Sequence, residues 1–348
     1  MKKAVTIALA AAGTAAAAVL LAGRHFSAPR YQGPRSDHFD GRSFHSPRKI
    51  DHGFGAVVRW MLTREPGEWA EWLDAEPGPP PPERVGTGEV RATFVNHATV
   101  LVQIDGLNIL TDPIWSQRTS PVRWAGPRRR RPAGIRLADL PPIDAVLVSH
   151  NHYDHLDLPT LRHLADRFAP PIYVGLGNDR LLRAETIAGG IPLDWWESRP
   201  LKNGVTVHFV PAQHFSARGM ADRNGNLWGG FVLESPTGAV FFAGDTGWGP
   251  HFERVRARFP RIRLAILPIG AFRPEWFMSP VHIGPVEAIR AHEALGAEAS
   301  MVMHFGTFPL GDDGMTEAPD RLRAALADGS ETLRRSIWIP EFGAGRDF

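Results

Sequence analysis

The sequence predicts an α/β layered fold in which two β-sheets lie between helical layers. Three observations carry that expectation. Short β-branched or apolar runs begin near residue 88 and recur as far as residue 304. The first of them are spaced as hairpins, with Asp105-Gly106 as a turn. The later ones alternate with helical stretches at Pro159 to Phe168 and Pro285 to Leu295.

Each strand has its own signature. Val90 to Phe94, Thr99 to Ile104 and Leu107 to Thr111 form the early group. Ala145 to Ser149 begins as a continuous apolar run, the mark of a strand buried on both faces. Further strands are expected at Ile172 to Val174, Val205 to Val210, Gly230 to Leu233, Ala239 to Ala243, Leu264 to Pro268 and Ser300 to His304. The 35 Gly and 31 Pro favour many turns over a helical bundle.

Three segments are expected. In residues 1–24, Lys2-Lys3 lead into the uncharged run Ala4 to Ala22, and Arg24 follows it. A basic start before an apolar stretch of ~20 residues is the pattern of a signal peptide or signal-anchor. That places the protein in the cell envelope. It would be anchored in the inner membrane facing the periplasm, or exported if the segment is cleaved. A buried Ala-rich helix is the alternative. Residues 25–87 read as an extension packed on the main domain. Within it Val57 to Trp72 predicts an amphipathic helix, and Pro77 with Pro79 to Pro82 a stiff break. Residues 88–348 form the main domain.

Composition removes several functions. Lys and Arg total 39 and Asp and Glu 37, a net charge of +2, so nucleic-acid binding gains no support. Cysteine is absent, which excludes disulfides, thiol nucleophiles, Cys-ligated zinc and a lipoprotein anchor. Any metal must be held by carboxylates and by some of the 15 His.

The sharpest motif is His150-Asn151-His152-Tyr153-Asp154-His155, directly after the buried strand. Four potential ligands in six residues at a strand end suit Zn²⁺ or a similar borderline ion. His214 follows the Val205 to Val210 strand, Asp245 follows Ala239 to Ala243, and His304 ends Ser300 to His304. Any one of these could be a capping Asp or a core His. Four strands that each end in a possible ligand describe one rim where a site is built.

These segments resemble the metallo-β-lactamase superfamily, in which H-x-H-x-D-H opens a dinuclear site in a four-layer αββα sandwich. Asn96-His97-Ala98-Thr99, Leu110 to Trp115, Pro211 to His214, Asn226 to Gly229, Phe242 to Gly247, Leu267 to Ala271, Trp276 to Met278 and His304 to Phe308 add a narrower likeness. They resemble bacterial relatives of phospholipases D that hydrolyse N-acyl-phosphatidylethanolamine. The resemblance implies two Zn²⁺ ions: one on His150, His152 and His214, the other on Asp154, His155 and His304, with Asp245 between them. It implies a metal-bridging hydroxide attacking a phosphodiester, with Asp154 and Asp245 as possible proton acceptors. It also implies that His282, in Ser279 to Pro285, lies near the substrate phosphate. A phospholipid substrate and a membrane surface follow as partners. A lactonase acting on a sugar-phosphate or acyl lactone is the enzymatic alternative, and a non-catalytic metal-binding envelope protein the alternative of another class.

Four further features are weighed. Arg128 to Arg131 is either a solvated charge run or a basic lip for anionic headgroups. Trp115, Trp124, Trp195, Trp196, Trp228 and Trp248 are core aromatics by default, with a lipid-facing subset as the alternative. His97 is expected to be structural, and Asp112 to orient a metal-binding His from behind. His38 has no evident role.

Overall fold

A computed structural model of the protein describes residues 23–50 and 53–348. The signal or anchor reading of Ala4 to Ala22 falls outside the described residues. Among the described residues no helix is long and apolar enough to cross a membrane.

Two seven-stranded sheets form the body of the molecule. The first starts with β1 (Val90–Asn96), β2 (Thr99–Ile104) and β3 (Leu107–Thr111), an antiparallel meander. Asp105 and Gly106, both at positive φ, close the β2–β3 hairpin as the Asp-Gly pair demands. β4 (Ala145–Val148), β5 (Ile172–Gly175) and β6 (Gly190–Leu193) then add in parallel. Between them run α2 (Leu158–Phe168) and α3 (Asn178–Ala184). The second sheet repeats the plan. β7 (Ser198–Pro200), β8 (Thr206–Val210), β9 (Gly230–Ser235) and β10 (Gly238–Phe242) are antiparallel. β11 (Ile262–Pro268), β12 (Ala299–Met303) and β13 (Ile337–Trp338) follow in parallel. The linking helices are α4 (His251–Arg258), α5 (Glu275–Met278), α6 (Pro285–Leu295), α7 (Glu317–Ala327) and α8 (Glu331–Ser336). β14 (Gly345–Asp347) returns to the first sheet and pairs with β1.

Residue alternation decides which face meets which layer. Val100 and Val102 point inward, onto a core shared with Phe209, Phe231 and Phe241 of the second sheet. Leu101, with Val146 and Val148, points outward onto Leu161 and Leu164 of α2. Ala288 and Leu295 of α6 and Leu322 of α7 bury against the other sheet. The result is the four-layer αββα sandwich that the sequence predicts.

The amphipathic helix is shorter than expected. α1 spans Phe54–Leu62, not Val57 to Trp72. It ends at the cap residue Thr63, and Pro66, which bars helical geometry at Glu65, keeps it from resuming toward Trp72. Trp69 therefore sits outside the helix and donates to the Asp313 carbonyl.

Candidate metal centre

All seven predicted ligands are brought together at one end of the sandwich, where β4, β8, β10 and β12 finish. Tight backbone lets the loops converge. Gly244, at φ 60, lies so close to Ser149 that a Cβ would sit 2.6 Å from the serine Cβ. Only glycine fits there, and Asp245 follows immediately. His304 (φ 64), His97 (φ 47) and Asp112 (φ 31) also adopt positive φ, a strain that clusters where side chains must be aimed.

Two groups of ligand atoms face each other. In the first, His152 Nδ1 lies 2.8 Å from His150 Nε2 and 3.3 Å from His214 Nε2. In the second, His155 Nε2 lies 3.2 Å from Asp154 Oδ2, and His304 Nε2 lies 3.6 Å from the same oxygen. Asp245 stands between the groups. Its Oδ2 is 3.1 Å from His155 Nε2 and 3.9 Å from both His150 and His214 Nε2, and its Oδ1 is 3.2 Å from His304 Nε2.

The far side of each group is fixed. His155 Nδ1 meets Asp112 Oδ2 at 2.6 Å, and Asp112 also accepts from the Ser149 amide and hydroxyl. Because Ser149 Oγ donates to Asp112, its lone pair faces His150 Nδ1 at 2.9 Å. His214 Nδ1 donates to the Val281 carbonyl at 2.9 Å. These bonds leave Nε2 of His150, His155 and His214 as the electron-pair donor aimed into the cluster, the arrangement that metal-binding imidazoles adopt. His97 Nε2 lies 2.9 Å from Asp154 Oδ2. It is therefore more than a core histidine, because it holds a predicted ligand from the side.

The residues fit a bound cation. Nε2 of His155 and of His304, and Oδ1 of Asp245, are buried without a hydrogen-bond partner. Stranded donors and acceptors at the centre of a polar cluster are costly unless an ion satisfies them. Charge tells the same story. Burial opposes ionising His304 and His155, yet Asp245 leads the carboxylates that push His304 up to about 9 and hold His155 well above its ordinary value. Burial likewise opposes the charge on Asp154 and Asp245, and His155 leads the imidazoles that keep both carboxylates well below their usual range. The pocket is built to hold compensating positive charge.

His282 comes to the same place from the β11–α6 connection. Its Nδ1 is 3.9 Å from Asp245 Oδ2, and its ring stacks edge-on with His214. Burial, the largest influence, pushes it down to about 4, so it is a neutral imidazole near pH 7.

The extension, expected to pack on the main domain, reaches the centre as a strap, and the sequence does not signal where it lands. Ser46 Oγ donates to the His214 carbonyl at 2.7 Å. Arg48 exchanges backbone bonds with the Gln213 side chain. His38, without a role in the sequence, pins the strap further back. Its two nitrogens meet Asp37 at 2.5 Å and Asp194 at 2.7 Å, and its ring stacks on Trp195.

The arginine run divides. Arg129 is 2% exposed, with Asn96 Oδ1 and the Ile114 carbonyl accepting from it. Arg130 donates to the Glu71 carbonyl, and Arg131 covers the Phe342 ring. Only Arg128 is exposed, so the run as a whole is not a lip. Among the tryptophans, Trp228 is core at 1% exposure and Trp124 is 82% exposed.

The chain is similar to known proteins. A family model described as a β-lactamase superfamily domain matches residues 107–305. The chain is 37% identical over 260 residues to the N-acyl-phosphatidylethanolamine-hydrolyzing phospholipase D 1 of Caenorhabditis elegans, a match covering 71% of this chain and 72% of that one. It is 32% identical over 221 residues to a metal-dependent hydrolase of Pyrobaculum neutrophilum, covering 62% and 84% of the two chains. Its fold is similar to that of an isothiocyanate hydrolase from Delia radicum gut bacteria, with a TM-score of 0.61 at 21% identity over 74% of this chain and 99% of that one. A family match longer than half the chain, joined to a relative of such similarity over most of both lengths, shows that the chain belongs to the metallo-β-lactamase superfamily.

Proposed function

We propose that this metal-dependent hydrolase of the metallo-β-lactamase superfamily is a phosphodiesterase cleaving N-acyl-phosphatidylethanolamine-type phospholipids with two divalent cations, preferentially Zn²⁺. The observation that carries the chemistry is the pair of ligand groups sharing Asp245. The substrate class is supported by the similarity to the Caenorhabditis elegans phospholipase.

His150, His152 and His214 would hold one cation, Asp154, His155 and His304 the other, and Asp245 both. When bound, such a pair makes water a nucleophile near neutral pH and offsets negative charge on a phosphoryl group. The chain supplies the rest. Asp112, Ser149 and the Val281 carbonyl orient the imidazoles. His97 fixes Asp154. Neutral His282 offers a hydrogen bond to a phosphoryl oxygen from beside Asp245. Asp154 and Asp245 are ligands first. Carboxylates held this far below their usual range are weak proton acceptors.

The enzyme would work in the cell envelope, tethered to or exported through the inner membrane by residues 1–24, with residues 25–87 strapped over the hydrolase domain of residues 88–348. The test is a phospholipid hydrolysis screen on the full chain, with metal analysis. His152→Ala is expected to lose bound metal and nearly all turnover while its circular dichroism stays unchanged. Turnover at the wild-type rate in that variant would sink the mechanism. Lactone opening without phosphodiester cleavage would replace the substrate class.

A further inference from the structure

The loop after β3 doubles back as a narrow ribbon. Arg129 N donates to the Gln117 carbonyl and Thr119 N to that of Pro127, and Arg118 pairs with Arg128 as a β-bridge. Buried Arg129 clamps the base of the ribbon to Asn96 and Ile114. The tip, Ser120 to Gly126, carries Arg123 and the exposed Trp124 into solvent. A large indole beside a cation on an exposed tip is unfavourable in water alone and well matched to the boundary of a bilayer.

The neighbourhood has the same character. Beside the ribbon lies a groove of about 820 Å³. Phe26, Val122 and Leu158 give it an apolar lining, and Arg118, Arg123, Arg162 and Arg218 make it basic. Its two acids offset only part of that charge. Glu185 pairs with Arg162 at 3.5 Å, and Asp157 is turned to the Ser116 amide and hydroxyl and to Thr160, so the four arginines outnumber the acids. Tyr153 and Leu156, from the predicted metal-binding loop, form part of the wall.

Chain continuity points to the same side. Met220, 63% exposed, donates its amide to the Gly23 carbonyl. The uncharged run Ala4 to Ala22 therefore joins the described chain at this face, with Arg24 exposed beside it.

We propose that the face formed by the Gln117–Arg129 ribbon, Met220 and the basic groove docks on an anionic phospholipid bilayer, with Trp124 and Met220 in the headgroup boundary. The proposal extends the phospholipid reading above by naming the surface that meets the lipid, and it rests on that reading only for the chemistry of the partner. The role first considered for Arg128 to Arg131 passes to Arg118, Arg123 and Arg128, the ribbon's own cations.

The absence of cysteine makes the test direct. Trp124→Cys, Met220→Cys and Ala324→Cys are introduced singly in the full chain and labelled with an environment-sensitive NBD fluorophore. Ala324 lies on α7, in the opposite helical layer from α2. The proteins are bound to phosphatidylcholine vesicles with and without about 30% phosphatidylglycerol, a surface charge that attracts basic residues. Labels at 124 and 220 are expected to brighten several-fold and shift to the blue on the anionic vesicles, while the label at 324 stays aqueous. Arg123→Glu is expected to weaken partitioning about ten-fold or more. Bound protein with all three labels equally aqueous overturns the proposal. So does partitioning indifferent to both phosphatidylglycerol and Arg123→Glu. Hydrolysis of lipid in detergent micelles is measured alongside. Aqueous labels with hydrolysis intact remove only the docking face, whereas immersed labels without hydrolysis remove only the phosphodiesterase reading.

Discussion

Asp112 shows how one buried carboxylate can govern a site that it does not enter. It accepts from Ser149 twice and from His155 once, and through Ser149 it also reaches His150. An amide in its place would set an N–H against one of those donors and loosen both imidazoles. Asp112→Asn is expected to weaken metal binding about 10–100-fold, read by competition with a chromophoric chelator, with little change in fold. Unchanged affinity would show that the imidazoles hold their aim without it. The Thr111-Asp112-Pro113 sequence at a strand end made this role legible in advance. His97 was not legible in the same way. Its contact with Asp154 depends on a left-handed turn between β1 and β2 that its neighbours in sequence do not announce.

At the scale of elements, those bounded by clear turn or cap residues, Asp105-Gly106 or Pro285 and Gly296, were read closely. β2, β3 and α6 match their expected limits to the residue. Apart from α7, Glu317–Ala327, the elements that escaped are short or polar. β7 is Ser-Arg-Pro, β14 is Gly-Arg-Asp, and each forms only because a neighbouring strand supplies its bonds. Where the strap lands escaped for a similar reason, since its bonds to His214, Gln213 and Asp194 span 156 positions or more. Its His38 pin gives it a pH dependence. Burial lowers the His38 pKa, but Asp194 and Asp37 outweigh this and raise it above the ordinary 6.5. The pin is therefore at full strength below pH 6.5 and is lost as pH rises through the raised value. Protease cleavage between residues 31 and 50 should accelerate across that rise, and in His38→Gln the dependence should flatten. The ribbon offers a second check. Arg129→Ala strands the acceptors on Asn96, Ile114 and Ser116 and should cost about 2–4 kcal/mol in denaturant unfolding. Arg128→Ala, next to it but exposed, should stay within about 0.5 kcal/mol.

For the whole molecule, the site is where the two sheets are tied together. The Gly229 amide bonds the Ser149 carbonyl, and the His304 amide bonds that of His97. A cation held across both ligand groups would brace that same seam. Chelation is therefore expected to lower the melting temperature by on the order of 10 °C, with recovery on adding Zn²⁺. An unchanged melting curve would mean that the seam holds without metal. The double-sheet plan was legible because early hairpins give way to strands alternating with helices, whereas the repetition of one plan in both sheets showed only in the pairing. Which sheet faces which helix was not, since that depends on packing between segments distant in the chain.

The outermost strands have a consequence for life at a crowded surface. Each sheet ends in strands of four residues or fewer: β14 and β6 on one, β13 and β7 on the other. β6 and β7 carry Pro192 and Pro200, and β14 exposes Arg346 and Asp347. A second copy seeking free backbone groups would find little to pair with. On the lipid surface proposed above, many copies would then stay side by side without their sheets fusing into a continuous stack.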